Sequence, residues 1–433
     1  MNTKKQRINI ITLGCSKNTV DSEQLAGMFP TEQYIVRHES SSPSDVVIIN
    51  TCGFIGDAKE ESVNTILAQA EAVKQRKNAR LIVMGCLSQR YQNILEKEIP
   101  EVNAYFGAND LRQVANYLGA NRIEGGYHYK RKRSGAKHYA YLKISEGCDR
   151  NCSFCAIPFI RGKHHSVPME ELLEEADYLA KKGVKELILI AQDLTYYGLD
   201  IHKERRLVPL IQALSEIAGI EWIRLQYTYP HGFPEELIRL IATNPKVCKY
   251  IDLPLQHINS GLLHSMKRNI DRSQTLDLIG KIRNTVPNIA FRTTLIVGYP
   301  GETEEAFREL REFVRTQRFD RLGVFTYSAE EGTAAYQLKD DIPEEVKQQR
   351  LETIMEIQQQ ISWELNQERI GKTEKVLVDR LEGEYYIART QYDSPEVDNE
   401  VLISAATARF KIGSLINVVI EDADYFDLFA RPL

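Results

Sequence analysis

The stretch "AYLKISEGCDRNCSFCAIPFIRG" runs from Ala140 to Gly162, and it joins two patterns that together decide the architecture. Its first six residues read as a short strand. Just beyond them stand Cys148, Cys152 and Cys155, in a C-x3-C-x2-C spacing. In a parallel α/β barrel the reactive groups sit at the C-terminal ends of strands, so these thiols are placed for chemistry. Strand and helix patterns then alternate. "KELILIAQ", "EWIRLQY", "KYIDLPL", "AFRTTLIVG" and "RLGVFTYS" follow, with helical stretches such as "MEELLEEADYLAKKG" between them. Six strands of this kind predict a barrel or partial barrel of parallel strands. A long amphipathic helix from Pro343 to Ile370 ends the segment at Gly371, with Val346, Ile354, Ile357, Ile361 and Leu365 on its stripe.

Working outward, both flanks differ from this centre. Upstream, "INIITL", "DVVIIN" and "ARLIVM" are apolar on both faces, as buried parallel strands are, and "SVNTILAQAEAVKQ" between them has helical spacing. Downstream, from Lys372 to Leu433, short strands punctuated by Gly, Pro, Asn and Asp predict a small all-β barrel. The basic stretch "YKRKRSGAKH", Tyr129 to His138, reads as a solvated linker. The fold class is α/β, with a β appendix. A chain of 433 residues, 43% hydrophobic and 27% charged, is long enough for two or three domains. Its formal net charge of -5 gives no global footprint for nucleic acid. The apolar runs are far shorter than the ~20 residues that span a bilayer, and the N-terminus lacks a secretory pattern, so a cytoplasmic protein is expected. In that setting seven cysteines point to metal or catalysis rather than disulfides.

Three thiols in eight residues are one short of a closed structural site. A zinc ion completed by His164 or His165 is one alternative. A four-iron cluster held by three cysteines would keep one iron open, which a catalytic site needs. With Phe154 before the last cysteine, the motif resembles that of the radical S-adenosylmethionine enzymes. The resemblance implies that the open iron chelates S-adenosylmethionine, whose reductive cleavage gives a 5′-deoxyadenosyl radical.

The other thiols follow a rule of their own. Cys15, Cys52 and Cys86 each stand at or just past the end of a predicted strand: "NIITLGC", "VVIINTC" and "LIVMGC". Parallel strands end on one edge of a sheet, so three distant thiols are expected on one rim, although buried cysteines can also act as small hydrophobes. Two such sets in this order resemble the methylthiotransferases over essentially the whole chain, as do "IAQDLTYYG", "LPLQHINSGLLHSMKR" and "IVGYPGETEEAF". The likeness implies an N-terminal domain with an auxiliary 4Fe-4S cluster (1–125), a partial TIM-like radical S-adenosylmethionine core (134–371) and a substrate-binding TRAM barrel (372–433). Phe154, Gln192 and Arg224 become candidates for contact with S-adenosylmethionine; Gln192 and Arg224 could equally bond barrel loops. Cys248 fits neither set and reads as structural.

Two branches of that family differ in substrate. "LGCSKNTVDSE" and "ARTQYDSPEVDNEV" resemble the branch that methylthiolates the β-carbon of an aspartate in a small-subunit ribosomal protein (S-twelve); the alternative acts on adenosine of transfer RNA. From Lys372 onward seven cations face twelve anions, a balance of -5 that equals the charge of the whole chain. An acidic module works against binding RNA and favours a basic protein partner, although acidic residues also serve solubility. Asp393, Glu396, Asp398 and Glu400 are the expected docking residues. An electron donor such as flavodoxin or ferredoxin is implied by the resemblance, and no membrane partner is. A non-catalytic ribosome-docking protein with structural clusters is the reading from another class; two sets that each lack a fourth ligand argue against it.

Overall fold

Three runs rich in Ile and Val become the centre of a sheet because residues buried on both faces have no use for alternation. The computed structural model describes residues 5–120, 131–406 and 408–433. Tyr129 and Lys130 of the predicted linker lie outside the described residues. Two compact units form, one from Met1–Gly135, Tyr141–Arg150 and Ala156–Leu179, the other from Ala136–Ala140, Asn151–Cys155 and Ala180–Leu433.

In the first unit, β1 (Gln6–Thr12), β2 (Tyr34–His38), β3 (Val46–Thr51), β4 (Arg80–Gly85) and β5 (Ala104–Tyr105) form a parallel sheet in the order β2-β1-β3-β4-β5. Every residue of β3 is buried. Successive side chains point to opposite faces. Val46 and Ile48 therefore pack with Leu25 and Val114, while Val47 and Ile49 pack with Ile66 and Leu87. The helices are α1 (Ser16–Gly27), α2 (Gly56–Lys74), α3 (Cys86–Glu98) and α4 (Leu111–Tyr117). β1, β3 and β4 are adjacent and end level, with Thr12 opposite Asn50 and Thr51 opposite Gly85.

Further along, β6 (Tyr139–Lys143) crosses from the second unit into the first. A two-stranded antiparallel piece, β7 (Ser145–Glu146) with β8 (His165–Ser166), flanks α5 (Ile157–Arg161), and α6 (Met169–Lys181) follows. The basic stretch is not all solvated. Arg131 has a side chain that is 0% exposed and lies 3.5 Å from Glu23 and 3.2 Å from Glu175.

In the second unit, β9 (Glu186–Ile190) pairs in parallel with β10 (Trp222–Leu225). β11 (Tyr250–Asp252), β12 (Ala290–Val297) and β13 (Arg321–Thr326) form a second parallel sheet, and a parallel bridge joins Ile223 to Val247 just ahead of β11. All six strands expected from the sequence of this segment are present. The long helix spans Glu344–Gln367, and its buried face carries Lys347, Arg350 and Gln358 besides Ile354 and Ile361. Lys347 and Arg350 are buried because Asp340 and Glu302 pair with them, which an apolar stripe could not reveal. β14 (Thr373–Glu382), β15 (Tyr385–Thr390), β16 (Glu400–Ser404), β17 (Leu415–Ala423) and β18 (Asp427–Pro432) close into a barrel in the order β14-β15-β16-β18-β17.

Candidate metal centres

The level ends of β1, β3 and β4 bring three distant cysteines to one edge. Cys15 caps α1, Cys52 directly follows β3, and Cys86 opens α3. Each of the other two thiols bears electrostatically on Cys52, as neighbours do. Burial pushes the Cys52 thiol up to about 11, and it raises Cys86 too, against the pull of Arg161. Close backbone approach makes this crowding possible. A Cβ on Gly14 would stand 2.9 Å from the Cys52 sulfur, and one on Gly53 would stand 2.6 Å from the Leu87 backbone. Asn18 ties the three strand ends together. Its Nδ2 donates to the carbonyls of Leu13 (2.8 Å) and Thr51 (3.2 Å), and its Oδ1 is 3.9 Å from the Cys86 sulfur.

The other set needs no such assembly, since Cys148, Cys152 and Cys155 share one short loop. That loop passes from the first unit to the second between Arg150 and Asn151. Within the first unit, Gly147 turns at φ +73°, and a Cβ there would meet the Lys163 carbonyl oxygen at 2.1 Å, so only glycine fits. The Cys148 N–H donates to the Gly162 carbonyl at 3.1 Å. Within the second unit, Ser153 is held by its N–H on the Met266 carbonyl (3.1 Å), and its carbonyl accepts from the Ala335 N–H (2.7 Å). The Cys152 sulfur accepts an N–H from buried Arg268 at 3.3 Å and lies 3.7 Å from the Tyr229 hydroxyl.

Both donor sets suit iron–sulfur chemistry. Each offers three thiols and no fourth, and each sets a buried guanidinium on one sulfur, a partner that gains most from a thiolate. Among the described residues no three His, Cys, Asp or Glu side chains surround a single-ion position. A four-iron cube does not require that, because each thiolate binds its own iron.

Three family models match along the chain. Residues 142–314 match the radical SAM superfamily, residues 7–107 match an uncharacterized protein family, UPF0004, and residues 370–433 match the TRAM domain. Over 99% of its length the chain is 54% identical to the ribosomal protein uS12 methylthiotransferase RimO of Christiangramia forsetii, of which it covers 95%. It is 54% identical to that of Cytophaga hutchinsonii (98% covered) and 53% identical to that of Bacteroides thetaiotaomicron (99% covered), again over 99% of its own length. The chain belongs to the RimO family. In fold it also resembles the radical S-adenosylmethionine methyltransferase TsrM of Kitasatospora setae, with a TM-score of 0.57, 15% identity and 75% of each chain covered.

In this RimO-family chain the remaining residues singled out in the sequence have the following surroundings. Arg224, expected near S-adenosylmethionine, is fully buried and points at the β-barrel. Its Nε donates to Glu186 at 2.7 Å and its Nη1 to the Gln391 carbonyl at 2.8 Å. The reason is charge balance. Burial pushes the Glu186 carboxyl up, and Arg389 and Arg224 outweigh it, holding the group below the usual carboxylate range. Phe154 packs among Leu262, Met266 and Tyr299, and Gln192 is half-buried just past β9. Cys248 is buried beside Trp222 and Tyr250, and burial takes its thiol up to about 12.

The expected acidic docking group also divides. Asp393 is ion-paired with Arg321, its side chain 2% exposed. Asp398, 1% exposed, accepts from the Tyr250 hydroxyl at 2.8 Å. Both are spent on holding the barrel to its own unit and cannot meet a partner. Glu396 accepts from the Tyr139 hydroxyl at 2.9 Å and Glu400 pairs with Arg380 at 2.7 Å, but both keep exposure. Sequence reasoning missed Asn18, Arg161 and Arg268. Arg161 carried one usable sign: it is the only cation in the apolar run "CAIPFIRG".

Proposed function

We propose that this chain methylthiolates the β-carbon of an aspartate in ribosomal protein uS12, with S-adenosylmethionine as radical source and methyl donor. The observation that carries the reading is the presence of two three-thiol sets, each lacking a fourth ligand, in a chain 52–54% identical to uS12 methylthiotransferases over 99% of its length. Cys148, Cys152 and Cys155 would hold one 4Fe-4S cluster, and Cys15, Cys52 and Cys86 a second, about eight irons in all. When bound, the first cluster with S-adenosylmethionine supplies a 5′-deoxyadenosyl radical, suited to a C–H bond that no side-chain base could deprotonate at a useful rate.

The protein's own residues prepare for this. Gly147 turns the chain just ahead of Cys148 in the first unit, and in the second Ser153 is held by Met266 and Ala335 while Phe154 packs on Tyr299. Arg268 orients Cys152 through its sulfur. Cys52 and Cys86 are kept from water by burial and give up their protons when they bind iron. The segments 1–125, 134–371 and 372–433 act as auxiliary-cluster domain, radical core and substrate-binding barrel. A cytoplasmic setting, with flavodoxin or ferredoxin as the class of electron donor, belongs to the same reading. Phe154 and Gln192 remain the candidates nearest S-adenosylmethionine, and Glu396 and Glu400 those for uS12.

Incubating the anaerobically reconstituted, reduced protein with S-adenosylmethionine and uS12 tests the reading. Peptide mass mapping should find one aspartate carrying a methylthio group and should detect 5′-deoxyadenosine alongside. Modification of transfer RNA instead, with uS12 untouched, would move the chain to the other branch.

A further inference from the structure

Behind the auxiliary thiols lies a cluster of four charged side chains to which the reaction above gives no role. Arg161, whose side chain is 2% exposed, donates through Nη1 to Asp21 at 2.7 Å and to Glu146 at 3.0 Å. Lys143 pairs with the same two carboxylates, reaching Glu146 at 2.8 Å. Two cations and two anions cancel, which offsets the cost of burying them. They also fix half of the guanidinium.

The other half is aimed. Nη2 donates to Asn18 Oδ1 at 2.5 Å and to the Cys86 sulfur at 3.4 Å. A guanidinium is a rigid planar fork, so anchoring Nη1 decides where Nη2 points. A neutral thiol is a weak acceptor, whereas a thiolate is a strong one. The bond to Cys86 is therefore strongest when Cys86 is ionised, as an iron ligand is. Arg161 also occupies a telling place in the chain. It ends α5, and the next residue, Gly162, accepts the Cys148 N–H at 3.1 Å. One dipeptide thus holds Cys148 by its backbone and Cys86 by its side chain.

We propose that Arg161 is a positioning residue that raises the reduction potential of the auxiliary cluster through a charge-assisted N–H···S bond to Cys86. The inference rests on the reading of Cys15, Cys52 and Cys86 as cluster ligands. Reduction adds negative charge that the ligand sulfurs share, and hydrogen bonds to those sulfurs and nearby charge set such potentials. At a buried site salt screens that charge little.

The test is an EPR-monitored redox titration of the full chain with both clusters. The radical cluster's signal is recognised by its response to S-adenosylmethionine and serves as an internal control. Arg161→Gln should keep about eight irons and move the auxiliary midpoint negative by at least ~59 mV, a tenfold change in the reduced-to-oxidised ratio of a one-electron couple. Arg161→Lys keeps the charge without the fork and should shift it less. An auxiliary midpoint that is the same in all three proteins overturns the proposal. So does loss of the auxiliary cluster from both variants, which reduces Arg161 to a structural tie. A parent protein that takes up only one cluster refutes the ligand assignment itself, and that failure shows before any Arg161 variant is made.

Discussion

The two cysteine sets arrive at the same donor count by opposite routes. Cys148, Cys152 and Cys155 lie on one loop, where spacing alone brings them together. Cys15, Cys52 and Cys86 are separated by more than thirty residues each time and meet only because three adjacent parallel strands end level. A loop site depends on a few backbone turns, while a strand-end site depends on the whole sheet beneath it. The first can be damaged locally with the rest intact; the second is protected by its core and limited by its crowding.

The largest effect expected from this contrast comes at the loop. Replacing Cys148, Cys152 and Cys155 by Ala should abolish cleavage of S-adenosylmethionine, measured as 5′-deoxyadenosine, while the iron content falls from about eight to about four. Retained cleavage would place the radical chemistry elsewhere.

Glycines sharpen the comparison. At Gly147 an added Cβ meets a backbone oxygen at 2.1 Å, which cannot step aside; at Gly14 the clash is milder, with the Cys52 Cβ at 2.7 Å and its sulfur at 2.9 Å. Both positions have positive φ, +73° and +87°, so each alanine also carries backbone strain on the order of 1–3 kcal/mol. Gly147→Ala should therefore lose most of one cluster, and Gly14→Ala only part of the other, as read by iron content and the two EPR signals. Equal losses would mean that the loop is no more rigid than the sheet edge.

Arg268 is the counterpart of Arg161, one guanidinium to each thiol set. Groups that orient a metal ligand through a hydrogen bond are commonly worth ten- to hundredfold in affinity or activity. Arg268→Gln should slow 5′-deoxyadenosine formation about tenfold and leave the auxiliary EPR signal where it was. A change confined to the auxiliary signal would break the pairing of arginine to site.

Smaller effects belong to the carboxylates away from both sets. Glu186, Asp379 and Asp393 are each pushed up by burial and held low on balance by their arginine partners. A carboxyl whose folded pKa is depressed contributes stability above its unfolded value, and that contribution fades as pH falls through the folded pKa. Acid should thus loosen the attachment of the β-barrel, and Glu186→Gln should cost about 3–5 kcal/mol, as removing one partner of a buried pair does. Thermal unfolding across pH reads both. Glu396→Gln with Glu400→Gln should leave unfolding nearly unchanged and slightly flatten the salt dependence of uS12 binding.

Much of this was legible in the chain, for identifiable reasons. Runs such as "DVVIIN" and "LILIA" are buried on both faces, and burial of that kind has few structural meanings. The second thiol set could be found because one placement rule repeats three times. The acidic group could not be read correctly. Composition records that Asp393 and Asp398 are charged but not that Arg321 and the Tyr250 hydroxyl lie opposite them. Arg161 and Arg268 were hidden for the same reason: their partners, Asp21 and Cys86, Cys152 and Pro254, are remote in sequence. Buried charge is decided by pairs, and pairs are a property of the fold.

The most direct test of the account lies in the set that the sheet assembles. With Cys15, Cys52 and Cys86 all changed to Ala, the folded protein should keep the loop's cluster and still release 5′-deoxyadenosine from S-adenosylmethionine, yet attach no methylthio group to uS12. Loss of cleavage in that variant, with the loop's cluster intact by iron content and EPR, would contradict the division of labour between the two sites.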